Sequence, residues 1–299
     1  MIREKKTKSG PLLEADFFPV WPNGKRMPER APKAQRSSEA QAKYNQQQAV
    51  KRTIRIINTN FGTGDVWMHP TYEAVNAPST REDAMRDIRN YIRRVKTKRA
   101  SELKRVEQML KKCPEDKRLN EQFAKLSQPF KYYGRIEKQV YKSGPYAGLI
   151  NWHFHIFMTG GIDRDTLEDM WPKGMRTNAD RFQPEKFGPE AAARYASKDP
   201  DGDRRFFCSK NLDKPKTSQK DGKTTRRSVE RMCALCADDK EFWEKRYKGY
   251  RFIRAFPRFN EFNGHWYLSV IMYKTDGSGI LPEWKINDWA EEWEEKDIS

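Results

Sequence analysis

Apolar and polar positions alternate with several different periods along this chain, and the changes of period mark its elements. Leu12 to Val20 (LLEADFFPV) is a short apolar run of strand character. Trp21 to Arg36 is crowded with Pro, Lys and Arg and reads as an extended segment. From Ser38 the sequence SEAQAKYNQQQAVKRTIRII contains strong helix formers and no Gly or Pro, which predicts a helix capped at Ser37 or Ser38 and ending near Asn58. A turn cluster, Asn60 to Asp65, leads to a strand over Val66 to Tyr72 that Pro70 should bend or break. Ser79 with Glu82 has capping-box spacing. Behind it Ala84, Ile88, Tyr91, Ile92 and Val95 fall on one helical stripe, and Pro114 closes the helix.

The middle of the chain changes to a period of two. Tyr132 to Tyr141 and Leu149 to Met158 (LINWHFHIFM) predict a hairpin around Ser143-Gly144-Pro145, stopped at Gly160-Gly161. Asp165 is placed to cap a short helix over Thr166 to Trp171. Gly188-Pro189 opens another that carries Glu190 to Lys198. Lys214 to Arg227 reads as a charged linker. Tyr250 to Phe256 and His265 to Tyr273 are two further β-like runs joined through Asn263-Gly264. No repeat is present. This order predicts an α+β fold, a central antiparallel sheet with helices on one face. The expected division is a basic N-terminal extension with a short strand over 1–50, a core over 51–212, a linker and C-terminal hairpin packed on that core over 213–282, and an acidic tail over 283–299.

Composition narrows the function. The 299 residues carry a net charge of +17, which points to a polyanionic partner, nucleic acid by default. Four cysteines are too few for a disulfide scaffold and suit a reducing cytoplasm. Cys233 and Cys236 have half the spacing of a zinc ribbon, without the other half, and read as structural. No apolar run is long enough for a membrane span, and the first nine residues lack the apolar core of a signal peptide.

The chemistry concentrates at His153-Phe154-His155. Residues two apart on a strand share a face, so both imidazoles project together while Trp152, Phe154 and Ile156 face the core. If Tyr141 pairs with Leu149, Glu137 lies opposite His153 on the same face and completes a His-His-carboxylate cluster for a divalent metal. A single bulge would turn Glu137 away. A lone His-x-His is as readily an ordinary pair of strand residues. On the helix after Gly188-Pro189, Tyr195 and Lys198 share a face. A phenol beside an ammonium and a metal can attack phosphorus, although a core tyrosine beside a solvated lysine has the same spacing.

The ordered set of a His-Phe-His strand, a small helix and Tyr195-Ala196-Ser197-Lys198 resembles the HUH endonucleases. In particular it resembles the single-tyrosine replication-associated proteins of phages, plasmids and integrated elements. Asn58 to Tyr72 looks like the first motif of that family, with His69-Pro70-Thr71-Tyr72 at its end and the proline as a departure. Trp171 to Gly174, Arg204 through Leu212 and the Asn263 to Tyr267 turn also resemble family segments, so the likeness covers Leu12 to Lys274.

The resemblance implies a ferredoxin-like, RRM-like core. It implies Mg²⁺ or Mn²⁺ on His153 and His155 with Glu137 as a plausible third ligand, Tyr195 as nucleophile and Lys198 as its assistant. The product would be a 5′-phosphotyrosyl link and a 3′-OH that starts rolling-circle replication. Arg194, Arg204, Arg205 and Lys210 are the expected DNA contacts. The expected partners are single-stranded or hairpin origin DNA and host replication proteins such as helicase and polymerase, in bacterial cytoplasm. Mobilisation relaxase, single-strand transposase and a non-catalytic nucleic-acid-binding module remain as alternatives. The dense run from Arg93 to Arg105, including Arg99, is either a phosphate track or a solvated helix face. Trp67, Trp152 and Phe206 are candidates for base stacking or core.

Overall fold

A computed structural model describes residues 1–21, 39–174, 178–182, 206–261 and 263–275, with side chains left aside at 39–44, 178 and 181. The fold is α+β with two antiparallel sheets. The described residues fall into two units, one from 1–59 with 213–275 and the other from within 60–212. The expected N-terminal extension and C-terminal hairpin region therefore belong together, in a sheet of their own.

In the first unit, β1 (Ile2–Ser9) and β2 (Leu12–Pro19) form a hairpin turned at Gly10, whose φ is 56°. Sequence reading found β2 and missed β1, because IREKKTKS offers no apolar alternation. Helix α1 (Glu39–Asn60) follows and ends two residues beyond the expected boundary. The proposed cap at Ser37 or Ser38 lies outside the described residues. Near the end of the chain, β8 (Lys216–Asp221), β9 (Tyr250–Asn260) and β10 (His265–Lys274) complete the sheet in the order β8-β1-β2-β10-β9. Helices α5 (Arg226–Leu235) and α6 (Lys240–Arg246) supply Val229, Met232, Cys233, Trp243 and Tyr247 to a core with Leu13, Ala15, Phe17, Leu268, Val270 and Met272. Lys214 to Arg227 is therefore not a linker: it forms an edge strand and the Thr225 cap of α5. Cys233 and Cys236 are buried and free, which fits their structural reading. On the opposite face of β2, Arg55 of α1 forks onto Glu14 at 2.5 and 3.0 Å.

The second unit carries β3 (Val66–His69), α2 (Arg81–Lys112), α3 (Lys117–Ser127), β4 (Tyr132–Val140), β5 (Ile150–Met158), α4 (Arg164–Asp169), β6 (Asn178–Arg181) and β7 (Phe206–Cys208). Its sheet order is β6-β3-β5-β4-β7. The predicted stripe of α2 packs as expected, with Ala84, Ile88, Tyr91, Ile92 and Val95 against Val66, Met68, Ile136, Trp152, Phe154, Ile156 and Met158 on one face of the sheet. Trp152 is thus core. The caps are displaced from their expected positions. Thr80, not Ser79, caps α2 by accepting from the Asp83 N–H, and Asp163, not Asp165, caps α4. Helix α3 has no counterpart in the sequence reading. Strand β3 stops at Pro70, whose carbonyl still accepts from the Phe154 N–H at 3.1 Å. The ladder therefore continues as a bridge between Thr71 and His153.

No helix among the described residues is long and apolar enough to cross a membrane.

Candidate metal centre on the histidine face

The face of the second sheet opposite the α2 core is assembled by register. Glu137 pairs with His153 and Arg135 with His155, the alignment read from the hairpin, and the Tyr141 N–H donates to the Leu149 carbonyl at 3.1 Å. On the far side of β5, Trp67 pairs with Phe157 and Met68 with Ile156, which brings His69 level with His155. Three of the four histidines of the chain thus meet on one face. His69 was not singled out as a ligand. The signal was present in Trp67-x-His69-x-Thr71, whose alternation gives these side chains a common face.

The His69 and His155 rings contact through their Nδ1 atoms at 2.9 Å. His155 Nε2 is 3.3 Å from Glu137 Oε2, so the carboxylate is bound to the diagonal histidine rather than to its directly paired partner His153. An ionised carboxylate only accepts hydrogen bonds, which assigns the proton on His155 to Nε2. His155 Nδ1 then accepts from the Nδ1–H of His69, and the His69 lone pair lies on Nε2. Thr71 Oγ1 donates to the His69 carbonyl at 3.4 Å and lies 3.3 Å from His153 Nδ1. With the hydroxyl proton so used, His153 Nδ1–H donates and Nε2 carries its lone pair.

Electrostatics favour the neutral form of His69 and His153. Burial, reinforced by His155 and His153, pushes the His69 imidazole down to about 4. Burial followed by the neighbouring His155 also lowers His153, against the pull of Glu137. For Glu137 burial opposes ionisation, but the His155 hydrogen bond and the nearby His155 and His153 rings outweigh it, and its carboxyl lies below its ordinary value. Neutral imidazole and ionised carboxylate are the metal-binding forms. Imidazole nitrogens and a carboxylate are donor types that take divalent ions. Among the described residues, however, no group of three or more His, Cys, Asp or Glu side chains converges tightly enough to hold one as it stands.

Hydrogen bonds from the surrounding elements brace this face. Trp171 Nε1–H donates to the Thr71 carbonyl at 2.9 Å, and the Glu73 N–H to Lys173 at 2.9 Å, so the 171–174 turn buttresses the end of β3. Tyr72 is buried and donates to Asp87 at 3.1 Å. Asp65 anchors the glycine turn, accepting from Gly62 at 2.9 Å and Gly160 at 3.0 Å, as expected of a turn-former. Trp67 stacks on Phe157 at 5.6 Å and 6° on the histidine face.

Tyr195, Lys198, Arg194, Arg204 and Arg205 lie outside the described residues. Lys210 is exposed just beyond β7, between Ser209 and Asn211, which bind Tyr132 and Phe130. Arg99 is buried at 4% exposure and donates to the carbonyls of Thr159, Gly160, Lys125, Leu126 and Gln128, so it belongs to the fold and not to a phosphate track. No protein-family model, curated protein or solved structure matches this chain.

Proposed function

We propose that this chain is a metal-dependent nicking endonuclease and strand-transferase for single-stranded DNA, built on a ferredoxin-like HUH core, that starts rolling-circle replication. The observation that carries the reading is the meeting of His69, His153, His155 and Glu137 on one face of an antiparallel sheet, opposite the α2 core. Imidazole-rich donors with one carboxylate suit Mn²⁺ better than Mg²⁺, which prefers oxygen. When bound, the ion would neutralise charge on the scissile phosphate.

In this reading the residues of the chain divide the remaining work. Glu137 orients His155 through Nε2, and Thr71 orients His153 through Nδ1. The Lys198 ammonium stabilises the Tyr195 phenolate, the phenolic proton is released to water, and the phenolate oxygen bonds to phosphorus. The P–O3′ bond breaks, and the departing oxygen takes up a proton to become the 3′-OH primer. Arg194, Arg204, Arg205 and Lys210 hold the strand. Origin DNA, with host helicase and polymerase in a bacterial cytoplasm, is the setting that follows.

The test is a labelled circular single-stranded replicon incubated with protein and Mn²⁺, then resolved on a denaturing gel. The expected result is a covalent adduct mapping to Tyr195 and absent in Tyr195→Phe. His155→Ala should lose the nick while retaining DNA binding, because cations supply that affinity. If Tyr195→Phe cuts as well as wild type, the nucleophile is wrong. If the cognate replicon is never cut in any divalent metal, a non-catalytic binding module replaces this reading.

A further inference from the structure

The histidine face continues past the metal centre. Its residues fall in rows that cross the sheet. One row runs from His69 through His155 to Arg135 and then to Phe206, because Arg135 pairs with His155 on one side and with Phe206 on the other. The neighbouring row runs from Trp67 through Phe157 and Tyr133 to Cys208. Strand spacing of about 4.8 Å puts Arg135 one strand from His155 and places Phe206 about 10 Å from it.

Phe206 is out of keeping with an edge strand of a folded unit. It is 45% exposed, whereas its neighbour Phe207 turns to the core and covers Gly134, where a Cβ would collide with its ring. The Phe206 ring lies nearly parallel to Tyr133, 13° between planes and 6.0 Å between centroids. Tyr133 is itself buried and backs the Phe206 ring on one side. A flat ring held in this way, paired across from Arg135 and two strands from the histidines, has the chemistry of a nucleotide seat.

We propose that Arg135 and Phe206 seat the nucleotide adjoining the scissile phosphate, the guanidinium on its phosphate and the Phe206 ring against its base. The inference deepens the nuclease reading and rests on it for the identity of the ligand as single-stranded DNA. An unpaired strand is required, because the faces of bases in a duplex are covered by their own neighbours. Arg suits the role better than Lys, since its planar fork matches two phosphate oxygens. Both residues are binding and positioning groups, since neither is placed to bond to the reacting atoms.

The experiment is equilibrium binding of a fluorescein-labelled oligothymidylate to the full chain in EDTA, where no cleavage occurs, with single abasic positions scanned along the probe. Phe206→Ala should weaken binding about tenfold. One abasic position should cost wild type affinity and cost Phe206→Ala nothing further, while Phe206→Trp should restore both affinity and abasic sensitivity. Arg135→Gln should lower the slope of log affinity against log salt by about 0.7, one phosphate contact, and Arg135→Lys should recover it. Phe206→Ala binding as tightly as wild type, or keeping the wild-type abasic pattern, overturns the seat. So does an unchanged salt slope in Arg135→Gln. The nicking assay separates the two readings. A wild type that cuts, with Phe206→Ala unaffected, removes the seat and leaves the nuclease. Loss of binding in Phe206→Ala with a wild type that never cuts supports the seat and removes the nuclease.

Discussion

Arg99 and Arg135 show how little a cationic residue discloses before its surroundings are known. Arg99 sits in the most basic stretch of α2, yet its guanidinium is spent on five backbone carbonyls that end β5 and α3. Arg99→Met should therefore destabilise the protein by about 3 kcal/mol, the scale of lost hydrogen bonds to a charged group, and leave the salt dependence of DNA binding unchanged. Urea denaturation and a salt titration of the same variant check both halves. Glu4 is a second buried charge that the sequence does not explain. It accepts from Tyr247 at 2.9 Å and pairs with Arg246 and Lys6, each at 3.2 Å. Burial opposes its ionisation, but the tyrosine hydrogen bond and the two cations outweigh burial and hold its carboxyl below the ordinary 4.5. A lowered folded-state value contributes stability above the unfolded value, and that contribution is lost as pH falls through the folded one. Wild type should lose stability from about pH 4.5 downward, while Glu4→Gln should start less stable at neutral pH and show a shallower acid limb in thermal melts. At this scale the sequence disclosed His153, His155 and Glu137, because alternation and one hairpin register are enough to align them. It hid the diagonal bond from Glu137 to His155, which depends on side-chain rotamers that no spacing rule specifies.

Elements were legible wherever one face is buried. The α2 stripe and the β4–β5 register follow from apolar periodicity, since a one-residue slip would turn His153 and His155 into the core. Strands β1 and β8 were not legible, for a physical reason. β8 is a sheet edge, exposed at all six positions, and its pairing with β1 depends on backbone bonds and the Arg3–Asp221 fork at 2.7 Å. Neither requirement leaves an apolar signature. The Thr80 and Asp163 caps were each misplaced because neighbouring hydroxyl and carboxylate residues compete for one geometric position. The 171–174 turn is an element whose role can be tested. A Cβ on Gly174 would overlap the Thr71 carbonyl oxygen, and backbone cannot move aside as a side-chain tip would. Gly174→Ala should push Thr71 away from His153 and destabilise the protein by about 1–3 kcal/mol. The expected signature is weaker Mn²⁺ binding by calorimetry together with the lowered melting point, whereas a lowered melting point with unchanged metal affinity would make the turn purely structural.

Across the whole molecule, chain order and spatial order differ. The unit Asn60–Leu212 interrupts the sequence of the other, whose sheet joins residues from both flanks. No composition shift marks that nesting, so the sequence reading divided the chain into consecutive blocks. Each unit has its own buried cluster, one around Phe154 and Ile156 and the other around Phe17 and Trp243. Residues 60–212 expressed alone should therefore unfold in one cooperative transition and, on the proposed metal reading, bind Mn²⁺ as tightly as the intact chain. A fragment without a cooperative melt would show that its core depends on the flanks.

The pairing of β2 with β10 sets a timetable for synthesis. Leu12 is aligned with Tyr273, so the N-terminal hairpin leaves the ribosome long before its central partner exists. At about 5–20 residues per second the wait is on the order of tens of seconds, while the interrupting unit emerges and can fold. Throughout that interval a nascent chain presents the open edge of β2, with Leu13, Ala15 and Phe17 uncovered, a template for pairing with any neighbouring copy. Chaperone supply and translation speed, more than equilibrium stability, should then govern how much of the protein reaches its finished state.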